Sequence, residues 1–210
     1  YGKVSFYLGT GSHQEKADFC FDPQIYLGGH PVMKQETTSS AKQYLPALIW
    51  CALAVLADQF TKWLAVTFLK DQEPFVLIPG VFEFRYLENR GAAFGIFQGK
   101  QYLFLIGGVM VLLLIGYLYG KIPVKKRFGL LRLCAVLVAS GAVGNMIDLM
   151  FQNYVVDFFY FSLIDFPIFN VADCYVVIGC FLFALLIFFY YKDEDLDFIF
   201  PVKENKQKKN

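Results

Sequence analysis

Four long apolar runs constrain the fold of this sequence more than any other feature. They cover residues 45–69, 102–120, 128–147 and 174–191, and charged residues are rare inside them. A helix that crosses a hydrocarbon core of about 30 Å needs about 20 residues. Inside a bilayer the backbone must satisfy its own hydrogen bonds, so each run is predicted to be a helix. The runs therefore predict a membrane all-α fold, a bundle of four transmembrane helices.

The composition supports a membrane protein and excludes several other classes. Of the 210 residues, 57% are hydrophobic and 18% are charged, whereas soluble domains carry more charge. A net charge of +1 gives no basic field for nucleic acid. Both histidines, His13 and His30, precede residue 33, which excludes His-based triads and zinc sites from the apolar body. The cysteines form no Cys-x-x-Cys motif and are interpreted as small buried hydrophobes, so we expect no metal and no cofactor.

Basic residues predict the orientation of the bundle. The connection 121–127 is basic and has no acidic residue, and lysines recur over 203–209. The positive-inside rule places both segments in the cytoplasm. An even number of spans then puts both ends of the membrane domain on that side. The connections 70–101 and 149–171 are predicted to face outward.

The outward connections are rich in aromatic residues. Residues 81–86 alternate, with Phe82, Phe84 and Tyr86 on one face, which predicts a half-buried strand. The second connection carries many aromatic side chains, which settle at the depth of the lipid headgroups: Phe158, Phe159, Tyr160, Phe161, Phe166 and Phe169. Together they predict a lid or shelf on the outer membrane surface.

The first residues do not match the rest of the chain. Met33 opens a short polar segment of the kind that begins many membrane proteins, so residues 1–32 are interpreted as a functionless extension upstream of the natural start. The alternative is a disordered cytoplasmic tail. The predicted organisation is an N-terminal extension over 1–43, a four-helix membrane domain over 44–192 and a charged cytoplasmic tail over 193–210.

Two charged residues interrupt the first apolar run. Asp58 and Lys62 are four residues apart, which places them on one face of a helix. Ionisable groups at membrane depth mark functional sites. The alternative is an ion pair near the outer end of the helix, with Lys62 extending to the headgroups.

An Asn-x-x-Asp motif occurs twice where a span meets the second outer connection. Asn145 and Asp148 end the third run, and Asn170 and Asp173 begin the fourth. In each motif both side chains lie on one face of a helix, so the two motifs are able to point into one interior site. Asn and Asp are also common helix caps, and Asn170 or Asp173 is open to that interpretation.

A third carboxylate lies between the two motifs. Asp157 is surrounded by Val and Phe, which favours partial burial. Two carboxylates in a low-dielectric site tend to hold one proton between them. Such a pair activates water and protonates a peptide carbonyl without a metal or a nucleophilic side chain. Asp173 is one candidate partner for Asp157, and Asp148 and Asp165 are equally available on composition alone.

Small residues form two clusters, at 91–95 and 141–144. Close helix packing is the simpler interpretation of both. A loop that approaches a substrate backbone requires the same residue types, so Gly91 is retained as a candidate for the site.

Taken together, these residues resemble the lipoprotein signal peptidases, the type II signal peptidases of bacteria. The matching blocks, in order along residues 44–191, are Asp58-Gln-Phe-Thr-Lys62, Asn89-Arg-Gly-Ala-Ala-Phe-Gly-Ile-Phe97, Gly141-Ala-Val-Gly-Asn-Met-Ile-Asp148, Val155-Val-Asp-Phe158 and Phe169-Asn-Val-Ala-Asp173. The resemblance implies a monomeric aspartic endopeptidase of the bacterial cytoplasmic (inner) membrane. It would cleave diacylglyceryl-modified prolipoproteins before the lipidated Cys, in contact with membrane lipids and near the outer face.

The resemblance also implies roles for individual residues. Asp157 and Asp173 match the catalytic dyad, and the residues that line or support the site are Asp58, Lys62, Asn89, Gly91, Asn145, Asp148, Asn170 and Ala172. The family has an extracytoplasmic β-cradle and a lid, and residues 75–100 correspond to them. The family usually has Arg where this chain has Leu149, which implies a weaker fold or compensation elsewhere. A transporter with proton-relaying carboxylates and an impaired scaffold are the alternatives.

Overall fold

The computed structural model describes residues 26–27, 30–31, 40–91 and 101–196. The strands β1 (Tyr26–Leu27) and β2 (His30–Pro31) form an antiparallel hairpin in a separate unit, residues 1–37. The second unit, residues 38–210, holds the apolar runs. The expectations for the extension before Met33 and for the charged tail fall mostly outside the described residues and stay predictions.

Each apolar run forms a helix: α1 is Ser40–Leu69, α2 is Gln101–Lys121, α3 is Gly129–Gln152 and α4 is Val171–Leu185. A π-helical turn, Leu186–Tyr190, extends α4. Within the described residues, four helices are long and apolar enough to cross a membrane. Large apolar side chains on their surfaces are exposed, as expected for helices that face lipid instead of water. The predicted four-helix membrane fold is confirmed.

Helix α3 is the centre of the bundle and packs against the other three helices. Two of its glycines allow the closest approaches. A Cβ on Gly141 would collide with the carbonyl oxygen of Ala172, and a Cβ on Gly144 would lie 2.6 Å from Asp58 Oδ2. The packing interpretation of the 141–144 cluster is therefore confirmed, because small residues let the helices meet closely.

A three-stranded antiparallel sheet lies at one end of the bundle. Its strands are β3 (Phe75–Ile78), β4 (Phe82–Asn89) and β5 (Val155–Tyr160), in the order β3-β4-β5. The strand predicted over residues 81–86 is confirmed and extends to Asn89. Strand β5 was predicted only as an aromatic connection. Its central residues are all buried, and a strand buried on both faces loses the alternation that identifies strands in sequence.

The sheet brings two distant segments of the chain together. Strand β4 follows α1, whereas β5 connects α3 to α4. The backbone N–H of Phe159 donates to the carbonyl of Phe169 (2.8 Å), and the N–H of Phe169 donates back to Phe159 (3.0 Å). These two bonds fix the start of α4 beside β5. Asp157 and Asp173 are positioned by this contact.

The opposite end of the bundle closes on an apolar cluster. Its buried residues are Ile122, Phe128, Leu131, Cys134, Leu186 and Tyr191. The four cysteines in the described residues are free thiols, and Cys134 is buried as predicted. Cys180 is exposed on the outer face of α4, so the expectation of burial is wrong there. In a span that faces lipid, an apolar side chain needs no protein partner.

Candidate active site

A cavity of about 260 Å³ opens where the sheet meets the helices. Its wall contains both polar and apolar residues. The lining residues are Asn89, Gly91, Phe104, Gly108, Ala142, Asn145, Met146, Leu149, Val155, Asp157 and Asp173. The two aspartates that the sequence analysis paired therefore face the same space.

Asp157 lies in β5 and is 1% exposed. Its carboxylate accepts hydrogen bonds from Asn89 Nδ2 (2.9 Å) and Asn170 Nδ2 (2.7 Å). Burial raises the pKa of Asp157 to about 7 against these two hydrogen bonds, and the nearby charge of Asp173 adds to the rise. A carboxyl with such a pKa exchanges its proton near neutral pH.

Asp173 lies in the first turn of α4 and is also part of the helix cap. The side chain of Asn170 accepts from the N–H of Asp173 (3.0 Å), and the N–H of Asn170 donates to Asp173 Oδ2 (3.1 Å). This reciprocal pair is a capping box. The other oxygen of Asp173 accepts from Asn145 Nδ2 (2.8 Å). The cap interpretation is thus confirmed for this motif, and the site roles of Asn170 and Asp173 stay predictions.

Two asparagine amides connect the aspartates. Asn170 is fully buried, and its Nδ2 donates both to Asp157 Oδ1 (2.7 Å) and to Asn145 Oδ1 (3.1 Å). The amide of Asn145 then contacts Asp173 through Nδ2. The hydrogen bonds assign each amide its orientation, because an oxygen in place of Nδ2 would face a carboxylate oxygen.

A buried charge cluster supports this arrangement from behind. Lys62 Nζ is 3.0 Å from Asp58 Oδ2 and 3.0 Å from Asp148 Oδ2, and it donates to Asn145 Oδ1 (2.9 Å). Lys62 is 3% exposed. The expectation that Lys62 extends to the headgroups is therefore wrong. Three oxygen acceptors inside the bundle match its three N–H donors, so the ammonium stays buried.

The two carboxylates of this cluster also hold the backbone beside each aspartate. Asp58 Oδ1 accepts from the N–H of Ala172 (2.9 Å), which precedes Asp173. Asp148 Oδ2 accepts from the N–H of Val156 (3.1 Å), which precedes Asp157. Hydrogen bonds to charged groups are stronger than neutral ones. The roles predicted for Asp58, Asp148 and Ala172 are consistent with this support, and they stay predictions until tested.

Asn89 and Gly91 close the cavity at the end of β4. The Oδ1 of Asn89 accepts from the N–H of Gly91 (3.0 Å), which leaves Nδ2 facing Asp157. Gly91 has φ +88°, a left-handed conformation that costs glycine little. The resemblance assigns residues 75–100 to the β-cradle and lid, and residues 92–100 of this range lie outside the described residues.

In chemical terms the site offers two carboxylates that share one cavity and have fixed amide donors. Two carboxylates that face one low-dielectric cavity are able to hold one proton between them. Among the described residues, no group of three or more His, Cys, Asp or Glu could hold a metal ion.

Comparison with known proteins identifies the family. The family model described as "Signal peptidase (SPase) II" matches residues 50–189, which is most of the chain. The chain belongs to the signal peptidase II family. The "Lipoprotein signal peptidase" of Clostridium tetani is 44% identical over 150 residues, 70% of this chain and 93% of that relative. The protein of the same name from Lactobacillus johnsonii is 41% identical over 157 residues, 74% of this chain and 99% of that relative.

Solved structures agree with the family assignment. A bacterial membrane enzyme solved by the in meso method at 1.9 Å resolution is 30% identical, with a TM-score of 0.60. The alignment covers 70% of this chain and 94% of that structure. A second bacterial membrane enzyme, solved by the same method at 2.3 Å, is 28% identical, with a TM-score of 0.59 over 79% of this chain and 93% of its own.

The signal peptidase II fold also uses residues that sequence reasoning did not select. Gln59 Nε2 lies 3.2 Å from Asp58 Oδ2, 3.1 Å from Asp148 Oδ1 and 3.1 Å from the carbonyl of Gly144. A polar residue inside an apolar run was the signal for Gln59. The apolar wall of Phe104, Gly108 and Met146 had no signal, because these residues resemble any others in a span.

Two residues that the sequence left open are now placed. Asp165 is exposed, and its Oδ1 accepts from the hydroxyl of Tyr160 (2.6 Å), so it lies outside this cavity. Leu149, which stands where the family usually has Arg, lines the cavity. Asp148 and Asp173 lie near helix ends and Asp157 lies in β5, instead of midway along a span, which does not favour a transporter.

Proposed function

We propose that this chain is a membrane aspartic endopeptidase. It removes the signal peptide from diacylglyceryl-modified prolipoproteins and cleaves before the lipidated Cys. The observation that carries the proposal is that Asp157 and Asp173 face one cavity, with the pKa of Asp157 raised to about 7. Membership of the signal peptidase II family and the names of the relatives support the substrate class.

The two aspartates share one proton in the resting enzyme. Asp173 accepts a proton from a water molecule as the water oxygen bonds to the scissile carbonyl carbon. Asp157 donates its proton to the carbonyl oxygen, which gives a neutral tetrahedral diol. Collapse of the diol breaks the C–N bond, Asp173 gives its proton to the leaving amine, and Asp157 regains a proton from the diol. Each aspartate ends in its starting state.

The amide donors of the site keep the dyad in place through this cycle. Asn89 and Asn170 hold Asp157, while Asn145 and the Asn170 backbone hold Asp173. Fixed donors need no reorganisation when charge moves in the transition state. We therefore interpret this hydrogen-bond network as catalytic support for the dyad and not as a purely structural feature.

The substrate and the membrane define the rest of the proposal. A prolipoprotein is itself anchored in the bilayer, and the apolar cavity wall of Phe104, Met146 and Leu149 suits a lipidated segment that enters from the lipid. The basic connection 121–127 favours an orientation with both ends of the membrane domain in the cytoplasm and the dyad near the outer face. We further propose that the protein acts as a monomer in the bacterial inner membrane.

The test is cleavage of a diacylglyceryl-modified precursor by the purified protein in detergent, followed by gel shift. We expect wild type to cleave it and to leave the unmodified precursor intact. Asp157→Asn and Asp173→Asn should each lose about 100- to 10,000-fold in kcat, the range for a lost general acid or base. Asp165→Asn, outside the cavity, is the control and should cleave normally. Normal cleavage by either dyad variant would contradict the assignment.

A further inference from the structure

The contacts of Lys62 have a symmetry that the catalytic scheme does not use. Its ammonium meets Asp58 Oδ2 and Asp148 Oδ2 at equal distances of 3.0 Å. Each carboxylate then binds one backbone N–H, that of Ala172 for Asp58 and that of Val156 for Asp148. These residues immediately precede Asp173 and Asp157. One ammonium therefore links the backbones that carry the two members of the dyad.

A third contact of Lys62 reaches the dyad through a side chain. Lys62 Nζ donates to Asn145 Oδ1 at 2.9 Å, and Asn170 Nδ2 donates to the same oxygen at 3.1 Å. With two donors on its oxygen, the amide of Asn145 is held with Nδ2 toward Asp173 (2.8 Å). If the amide of Asn145 were flipped, its NH2 group would face the two donors, Lys62 Nζ and Asn170 Nδ2. Lys62 therefore also fixes the orientation of this amide.

The burial of Lys62 also has a simpler explanation, which must be distinguished from a role in positioning the dyad. Asp58, Lys62 and Asp148 are each at most 3% exposed. A buried carboxylate without a partner is strongly destabilising, so neutralisation of charge alone would explain a lysine at this position. That interpretation requires only a positive charge. It does not require contacts that converge on both halves of the dyad.

We propose that Lys62 is a positioning residue that sets the separation of Asp157 and Asp173, by linking Asp58 and Asp148 and by orienting Asn145. This inference rests on the proposed function. Lys62 does not line the cavity, so it acts through its neighbours and not on the substrate. Its loss should reduce kcat and leave KM unchanged.

The charge of Lys62 gives the proposal a second readout. The charged groups that face Asp157 are Asp173 from α4 and Lys62 from α1, and the positive charge of Lys62 lowers the pKa of Asp157. Asp148 from α3 and Asp58 from α1 face Lys62 itself. Removal of the ammonium raises the pKa of Asp157, so the alkaline limb of kcat/KM moves to higher pH.

The decisive variant is Lys62→Met with Asp58→Asn, in the full chain. It removes one positive and one negative charge, and the new amide at position 58 still offers an oxygen to the N–H of Ala172. The link to Asp148 is lost. Because Asp148 loses its cation, we expect a lower thermal midpoint. We also expect a kcat about 100-fold lower, as for a misplacement of about 1 Å, an unchanged KM and an alkaline limb at higher pH. Lys70→Met is the control, because Lys70 is 41% exposed and pairs with Glu88 outside the cavity.

Each outcome decides for or against the proposal. Wild-type kcat and pH profile in the double variant would reduce Lys62 to a neutraliser of charge. If the double variant does not fold, Lys62→Arg decides, because it keeps the positive charge but not the geometry of the ammonium. A lower kcat in Lys62→Arg supports the proposal, and a wild-type kcat overturns it. If wild type itself does not cleave, the proposed function fails instead. Infrared titration of the protonated carboxyl of Asp157, assigned with Asp157→Asn, then tests Lys62 alone, and an unmoved midpoint in the double variant would refute it.

Discussion

Two polar clusters lie at opposite ends of the same bundle, and they differ in the partners of their charges. At the sheet end, one ammonium, Lys62, contacts two buried carboxylates, and two further aspartates face a cavity. At the other end, Arg132 donates to the carbonyl of Ile122 and to Gln43 Oε1, and its guanidinium lies 4.7 Å from the ring centre of Tyr119. The first cluster has more carboxylates than cations, and the second pairs a cation with neutral groups.

The difference indicates which polar residues of a span act in structure and which act in chemistry. Arg132 Nη2 donates to two neutral acceptors, and the buried Nε of Arg132 has no hydrogen-bond partner among the described residues. Surplus carboxylates cannot all be ionised at low cost, so one of them is able to hold a proton near neutral pH. The expected effects of substitutions at the two ends therefore diverge.

Outside the dyad itself, the largest effect is expected for Asn170→Ala at the sheet end. The change removes the donor to Asp157 and the side-chain half of the cap of α4. We expect kcat to fall about 100- to 1,000-fold, as for loss of a preorganised donor. Gln43→Ala at the opposite end should leave kcat unchanged. Steady-state cleavage rates measure both, and equal losses would abolish the distinction between the two ends.

A smaller loss is expected for Gly144→Ala. Its Cβ would lie 2.6 Å from Asp58 Oδ2, so α3 or the carboxylate must move. Overpacking of this kind costs about 1–3 kcal/mol, and we expect at least a tenfold fall in kcat with a lower thermal midpoint. In Gly116→Ala nothing lies within 4 Å of the new Cβ, so the same change should be silent. If Gly144→Ala kept the kcat and thermal midpoint of wild type, the helices at the site end would be less tightly packed than their geometry indicates.

The pH dependence should report Asp157. Folding raises its pKa from 3.8 to about 7, so between these values the folded protein binds more protons than the unfolded chain. The free energy of unfolding therefore falls as pH rises from about 4 to about 7, by at most about 1.4 kcal/mol per pH unit. The same titration should lower kcat/KM above pH 7. Thermal midpoints of wild type and Asp157→Asn across this range measure the slope, which should be shallower in the variant; parallel slopes would contradict the assignment.

The smallest effect on cleavage is expected for Arg132→Met. The change leaves the carbonyl of Ile122 and the side chain of Gln43 without their donor. A lost partner of this kind costs about 1–3 kcal/mol, so the thermal midpoint should fall while kcat stays constant. Cleavage and melting of one preparation check both. If kcat fell in Arg132→Met while the thermal midpoint stayed unchanged, this end of the bundle would also contribute to catalysis.

The sequence predicts the fold better than it predicts the support of the site. Long uncharged runs specify spanning helices, and the alternation at residues 81–86 specifies β4. Strand β5 carried no alternation because both of its faces are buried. The aspartate pairing needed the resemblance, since residue types alone left Asp148 and Asp165 open. The positions of the aspartates depend on contacts between residues far apart in sequence. One example is the hydrogen bond from the N–H of Ala172 to Asp58 Oδ1.

Lys62 illustrates the same limit. Its spacing from Asp58 predicts a shared face, and that contact is present. Whether the ammonium turns outward or inward depends on Asp148 and Asn145, which reach it only when α3 packs against α1. Helical periodicity contains no information about that neighbour.

The capping box at the start of α4 has a consequence for the synthesis of the protein. Asp58 and Lys62 enter the bilayer on one helix and neutralise each other from the beginning. Asp148 arrives with the third span, but Asn170 and Asp173 arrive only with the last one. With Asp173 in the proposed dyad, the nascent chain is expected to be inert until its final span is in place. A peptidase assembled in this order cannot cut its neighbours in the membrane before it is complete.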